Sequence, residues 1–348
     1  MFILQKEDNM KVLFIGGTGT ISTSISRKLI REGHELWLLN RGSRNDIFPE
    51  GLVNYITCDI NNEADATKKL EGMSFDVVCD FIGFVKSQLE RDYRLFKGKT
   101  KQFMYISSAS AYQKPLAEPY IDEATPLCNP YWGYSRNKIE CEEYLMELYR
   151  KEGFPITIVR PSHTYCERSV PIGVHGNGGA WQVVKRMIEG KPVIIHGDGT
   201  SLWTLTHADD FAKGFVGLMG NVHAIGQAYQ ITSDESLTWT QIHKIIADTL
   251  GVEFKPYYVP SDFLAAVSNY DFEGGLIGDK ANSVIFDNSK LKRAVPDYCA
   301  TIRFDQGAKQ ALDYMLTHPE CQTPDPEFDE WCDRVIDALE NAKKEILK

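Results

Sequence analysis

The stretch KVLFIGGTGTIS, residues 11–22, limits what this chain can fold into more than any other. After Lys11 come four apolar residues in a row, where a strand with one wet face would alternate. Such a run is expected of a strand covered on both sides, as in a parallel sheet. A glycine-rich turn follows at once, and then Ile21, Ile25 and Leu29 recur at every fourth position until Gly33. That spacing puts three apolar side chains on one helix face, and a glycine just past the last of them is a helix stop.

The same alternation continues. HELWLLN (34–40), VNYITCD (53–59), FDVVCDFIG (75–83), KQFMYISSAS (101–110) and PITIVRP (155–161) read as strands, with helical patterns between them, one of them a short polar helix near 62–72. Strand and helix repeated in this way predict an α/β fold, a doubly wound parallel (Rossmann) sheet. Beyond residue 162 the pattern loosens. A helix is expected after GVHGNGG (173–179), a strand in PVIIHGDG (192–199) and a helix over 208–221. LTWTQIHKIIADTLG (237–251) is a further helix whose Thr238 and Gln241 form a capping box. We divide the chain into a dinucleotide-binding domain (10–165), a smaller α+β substrate lobe (166–318), some of whose strands and helices return to the first domain, and a C-terminal amphipathic helix (319–348).

Composition narrows the classes. No run approaches the roughly 20 apolar residues of a membrane span, and MFILQKEDNM lacks the layout of a signal peptide. The eight cysteines show no CxxC and the eight histidines no ligand spacing, which predicts reduced thiols, a cytoplasmic setting and no metal. The net charge of −10 argues against a nucleic-acid partner, whose phosphates need a basic face.

In the turn, Gly16 is expected to make the tight bend and Gly19 to let backbone N–H groups reach a pyrophosphate. Thr18, Thr20 and Ile21 complete that contact. Where an acid usually meets the ribose 2′-hydroxyl stand Asn40 and Arg41. Losing a carboxylate and adding a guanidinium favours a 2′-phosphate, so NAD(P) is expected, with NADP preferred. Asp59 and Ile60, after the third strand, are placed near the adenine, with a helix N-cap as the alternative role of Asp59.

YWGYSRNKIECEEYL (131–145) heads a helix that sets Tyr134 and Lys138 one turn apart, on one face. An ammonium there, with the positive charge of a nicotinamide, would bring a phenol, ordinarily near pH 10, towards neutrality and make it a usable base. With Ser107 and Ser108 ending the preceding strand, this resembles the extended short-chain dehydrogenase/reductases, the superfamily of NAD(P)-dependent epimerases and dehydratases. ISSASAY, IVRPSHTY (158–165), HGDGT with HADD (196–200, 207–210) and DNSKLKRAV (287–295) carry the resemblance from about Lys11 to Met315. It implies that Tyr134 is the acid or base, that Lys138 also holds the nicotinamide ribose, and that Ser108 orients the substrate oxygen, with Ser107 second. It implies further that Asp80, Phe81 and Gly83 pass the cofactor, and that Arg160, Pro161, Ser162 and His163 lie beside the nicotinamide and substrate. Ser110, His163 and Trp203 are the candidate substrate contacts. Relatives often dimerise through this helix, and a homodimer is expected, with Tyr144, Leu145, Leu148 and Tyr149 either in its seam or packed in the core.

Two departures sharpen the expectation. Trp203 stands where nucleotide-sugar epimerases carry the arginine that grips a diphosphate, and tryptophan cannot pair with one. Ser108 is followed by Ala109 and Ser110, not by the acidic pair of 4,6-dehydratases. The chain therefore reads as an epimerase or dehydrogenase/reductase of a sugar or other hydroxylated small molecule. The alternative is a nucleotide-sensing or RNA-binding protein on the same fold, since Trp203 and LNRG (39–42) also resemble the branch of chloroplast stem-loop-binding proteins.

Overall fold

The computed structural model describes residues 9–44 and 47–348; most of the N-terminal segment read for a signal peptide, residues 1–8, lies outside the described residues. Seven strands form the main sheet: β1 (Lys11–Ile15), β2 (Glu35–Asn40), β3 (Asn54–Thr57), β4 (Phe75–Asp80), β5 (Thr100–Ile106), β6 (Ile156–Pro161) and β7 (Gln227–Ile231). Their order is β3-β2-β1-β4-β5-β6-β7, and every neighbouring pair is parallel. The continuous apolar run of β1 has its predicted cause: Val12, Leu13, Phe14 and Ile15 are wholly buried.

Helices cover both faces. On one, α1 (Thr20–Glu32) and the helix Ala208–Leu218 pack Ile25, Leu29, Phe211 and Phe215 against Val12 and Phe14. On the other, α2 (Glu63–Lys69), α3 (Lys86–Phe96) and α4 (Gly133–Glu152) cover Leu13 and Ile15. Strand order reverses between β1 and β4, so the crevice for a ligand opens above their carboxyl ends.

The second lobe has its own core, in which Val183, Trp239, Ile242, Leu312 and Phe328 pack together. Thr238 caps its helix Trp239–Leu250 as expected, accepting from Gln241 N while Gln241 Oε1 accepts from Thr238 N. The last helix, Pro326–Ile346, buries Phe328, Trp331, Cys332 and Val335 against this lobe.

Some boundaries move for identifiable reasons. β4 stops at Asp80, because the Asp80 carboxylate takes the next backbone N–H groups out of the ladder. β5 stops at Ile106, and Ser108 accepts from Ser110 N to start a short turn. The helix expected to reach residue 221 ends at Leu218. Of the two places open to Leu145 and Leu148, a dimer seam or the core, they take the chain's own core. Cys128 and Cys299 are exposed, not core thiols. No helix among the described residues is long and apolar enough to cross a membrane.

Candidate active site

β1 delivers the chain into a turn in which Gly16 and Gly17 take φ of 99° and 103°. Only glycine sits there without strain. A Cβ on Gly17 would stand 2.5 Å from Leu38 of β2, so its absence also lets the turn lie against the sheet. Gly19 behaves differently from expectation: its φ is −93°, and an added Cβ would have room. It is the N-cap of α1, and no side chain caps that helix. The first-turn N–H groups are left to an anion.

Thr18 and exposed Thr20 border the turn, with half-buried Ile21 on the core side. Asn40 ends β2; its Oδ1 accepts from Gly42 N, while Nδ2 is buried with no partner. Arg41 is exposed and makes no hydrogen bond or ion pair to another described residue, whereas Arg44 donates to Thr18 O. The orphaned Asn40 amide, the uncapped helix and the left-handed turn together fit a dinucleotide. Ile60 is buried, but Asp59 is exposed and accepts from Asn61 N in a local turn; Asn62, not Asp59, caps α2.

At the end of β5 the two serines separate. Ser107 is buried and gives its hydroxyl to Glu142, the partner of Arg160 in a buried ion pair at 2.6 Å. It belongs to the wall, and so does Arg160. Ser108 instead faces the cavity beside the Tyr134 phenol, whose pKa it lowers, and its Oγ lies 2.9 Å from Ser110 Oγ. Ser135 donates to Ser110 in turn, at 2.8 Å.

Lys138 is buried, and its ammonium donates to Gly83 O and Ile106 O, both at 2.7 Å. Phe84 and Tyr105 ring centres lie 4.8 Å from it and Tyr134's 5.8 Å. Asp80 shapes the Gly83 turn by accepting from Ile82 N and Gly83 N, and a Cβ on Gly83 would strike its Oδ2 at 2.2 Å. Phe81 turns away, packing against Phe14 with ring centres 4.9 Å apart. Burial drives Lys138 down to about 8. It also raises the Tyr134 phenol above its ordinary value, against the opposing influence of Ser108. Burial is thus the largest influence on this phenol, while the Lys138 ammonium faces two carbonyls.

Tyr134, Ser108 and Ser110 open on a cavity of about 270 Å³ that His163 and Trp203 also line. Pro161 and Ser162 reach the same cavity from the end of β6, Ser162 donating to Thr204 O. Burial lowers His163 to about 3, so it is a neutral imidazole near pH 7. Trp203 is buried with its ring 5.7 Å from Trp239, and its indole N–H has no partner.

A model of the NAD dependent epimerase/dehydratase family matches residues 12–232. The chain belongs to that family. Its similarity to named members is distant. It is 25% identical over 304 residues to 2′-dehydrokanamycin reductase of Streptomyces kanamyceticus, covering 84% of this chain and 81% of that protein. It is 25% identical over 267 residues to the chloroplast stem-loop binding protein of 41 kDa b of Arabidopsis thaliana, covering 73% and 67%. Among solved structures, UDP-glucuronic acid 4-epimerase from Bacillus cereus, in complex with UDP-glucuronic acid and NAD, superposes with a TM-score of 0.70. That likeness spans 88% of this chain and 99% of the other at 20% identity, and it shows the shared fold.

Within this epimerase/dehydratase frame, sequence reading missed several residues. Gly17 was legible in principle, as the middle of the glycine turn. Arg168 lines a cavity at the head of α1 together with Gly19 and Thr20, and no motif pointed to it. Lys114 and Asp279 line the catalytic cavity from segments far apart in the chain.

Proposed function

We propose that this member of the family is an NAD(P)-dependent oxidoreductase of a sugar or similar hydroxylated small molecule, working towards carbonyl reduction. The observation that carries the reading is the Tyr134 phenol lining one cavity with Ser108, with Lys138 one turn along α4. Burial keeps the proton on Tyr134 at neutral pH, so the group presented to the cavity is a proton donor. A hydride is the chemistry NAD(P)H supplies when bound. Ser108 and Tyr134 would both donate to the substrate's carbonyl oxygen, and Tyr134 would give up its proton as charge develops there. The phenolate left behind would lie near the Lys138 ammonium, which favours it.

The uncapped head of α1 and Asn40 would hold the dinucleotide. The unpaired Arg41 supports NADP through its fit to a 2′-phosphate. The reductase among the relatives acts, by its name, on a dehydro-sugar antibiotic, which supports the same direction. An epimerase using the same residues would keep its dinucleotide through both half-reactions.

Denaturing the purified protein and quantifying released dinucleotide by mass spectrometry separates the two. A reductase is expected to release little, and then to bind NADPH more tightly than NADH. Near-stoichiometric oxidised cofactor would favour the epimerase. Binding neither dinucleotide, with salt-dependent binding of RNA, would overturn both.

A further inference from the structure

Two oppositely charged side chains face the catalytic cavity with no hydrogen-bond partner. Lys114 is only 3% exposed, and its ammonium makes no hydrogen bond or ion pair to another described residue. Asp279, half-buried, likewise offers a carboxylate that no described donor meets. Burial lowers the lysine, against the pull of Asp279, and raises the aspartate, against Lys280 first and Lys114 second. Groups left this way in a core are expensive, unless something else supplies the missing bonds.

Their placement is not slack. Asn129, 2% exposed, donates to Ser110 O, Ser135 Oγ and Gly278 O. It thereby ties the residue before Asp279 both to the turn that follows Ser108 and to the head of α4, which carries Tyr134. Gly274 of the same segment presses on Trp132, leaving no space for a Cβ. The indole N–H of Trp203 is a third group on the cavity wall, and a second donor, without a partner among the described residues.

We infer that the substrate is a single uncharged, polyhydroxylated ring, gripped through its hydroxyls by Lys114 and Asp279. This rests on the reading of Tyr134 as proton donor to that substrate. A hydroxyl both accepts and donates, so it satisfies the ammonium and the carboxylate together. A charged group would meet one attraction and one repulsion. A diphosphate would find Lys114, the one cation lining the cavity among the described residues, opposed by Asp279, with His163 uncharged. The volume of about 270 Å³ lies at the lower edge of the range for small-molecule sites and suits one ring flanked by Trp132, Trp203 and Phe286.

The test uses saturation-transfer NMR at pH 7 on the NADPH-titrated protein, with methyl glucoside, glucosamine, glucuronate and UDP-glucose as probes. Methyl glucoside is expected to bind best, each charged probe about tenfold more weakly. Lys114→Met should turn the preference towards glucosamine and Asp279→Asn towards glucuronate, with NADPH affinity unchanged in both as the check on folding. A purely structural pair would shift neither preference. UDP-glucose binding above methyl glucoside, or unchanged preferences in both variants, overturns the inference. If NADPH does not bind the wild-type protein, the reductase reading falls instead, and the two failures are told apart.

Discussion

The sheet half and the lobe half of the cleft solve different problems. At the sheet, the proposed recognition is by backbone: two left-handed glycines, the uncapped head of α1 and a turn held by Asp80. Across the cleft it would fall to isolated side chains, Lys114, Trp203 and Asp279, with bonding capacity that no described residue satisfies. Backbone recognition suits a ligand shared by many proteins. Unsatisfied side chains suit a ligand particular to one, because they penalise whatever fails to meet them.

The sharpest way to break this contrast is Tyr134→Phe, which stands between the halves. Turnover should fall by about a hundredfold to ten-thousandfold, the usual share of acid–base catalysis, with NADPH affinity intact in a fluorescence titration. A loss under threefold would remove Tyr134 from the chemistry. Next comes the glycine turn. Gly17→Ala adds a Cβ 2.5 Å from Leu38 at a left-handed φ. It should weaken cofactor binding and cost about 1–3 kcal/mol of stability. Gly19→Ala meets open space and should cost well under half of that in a thermal melt. Equal effects would mean that the turn works differently from its geometry.

A third prediction concerns pH. With Lys138 driven down to about 8, kcat/KM should decline above that pH as the ammonium is lost. Stability runs the other way. Below pH 8 both folded and unfolded chains carry the proton, and the burial penalty is complete. As pH rises from there towards the ordinary lysine range, only the unfolded chain keeps its proton, so this residue's contribution to stability grows. Lys138→Met should erase that slope in denaturant titrations across the window. The smallest effect is expected at the exposed Arg41. Arg41→Ala should weaken NADPH binding about tenfold, one charge-assisted contact's worth, and leave NADH unchanged. Loss of both would relocate the adenine end.

The two halves also differed in how far they could be read from sequence. Buried parallel strands announce themselves as continuous apolar runs, and Tyr134 with Lys138 are four residues apart on one helix, so local pattern suffices. Ser108 could be ranked above Ser107 only through the family resemblance, because the partner that withdraws Ser107 is Glu142, on another element. The fate of Leu145 and Leu148 had the same difficulty, since an inward and an outward apolar stripe look alike until the neighbouring helix is placed. Lys114 and Asp279 carry no motif, and only folding brings them to one cavity. The burial of the Tyr134 phenol was hidden for a related reason: charge spacing is visible in a sequence, and desolvation is not.

The last strand of the sheet has a consequence for biosynthesis. β6 ends at Pro161, but its outer neighbour β7 begins at Gln227. At 5–20 residues per second, a ribosome takes on the order of several seconds to make the intervening chain. During that interval β6 is the open edge of a sheet otherwise ready to close, with backbone groups able to pair with another nascent chain. A fragment ending near residue 165 would carry that edge permanently, and it should be recovered with chaperones or in aggregates.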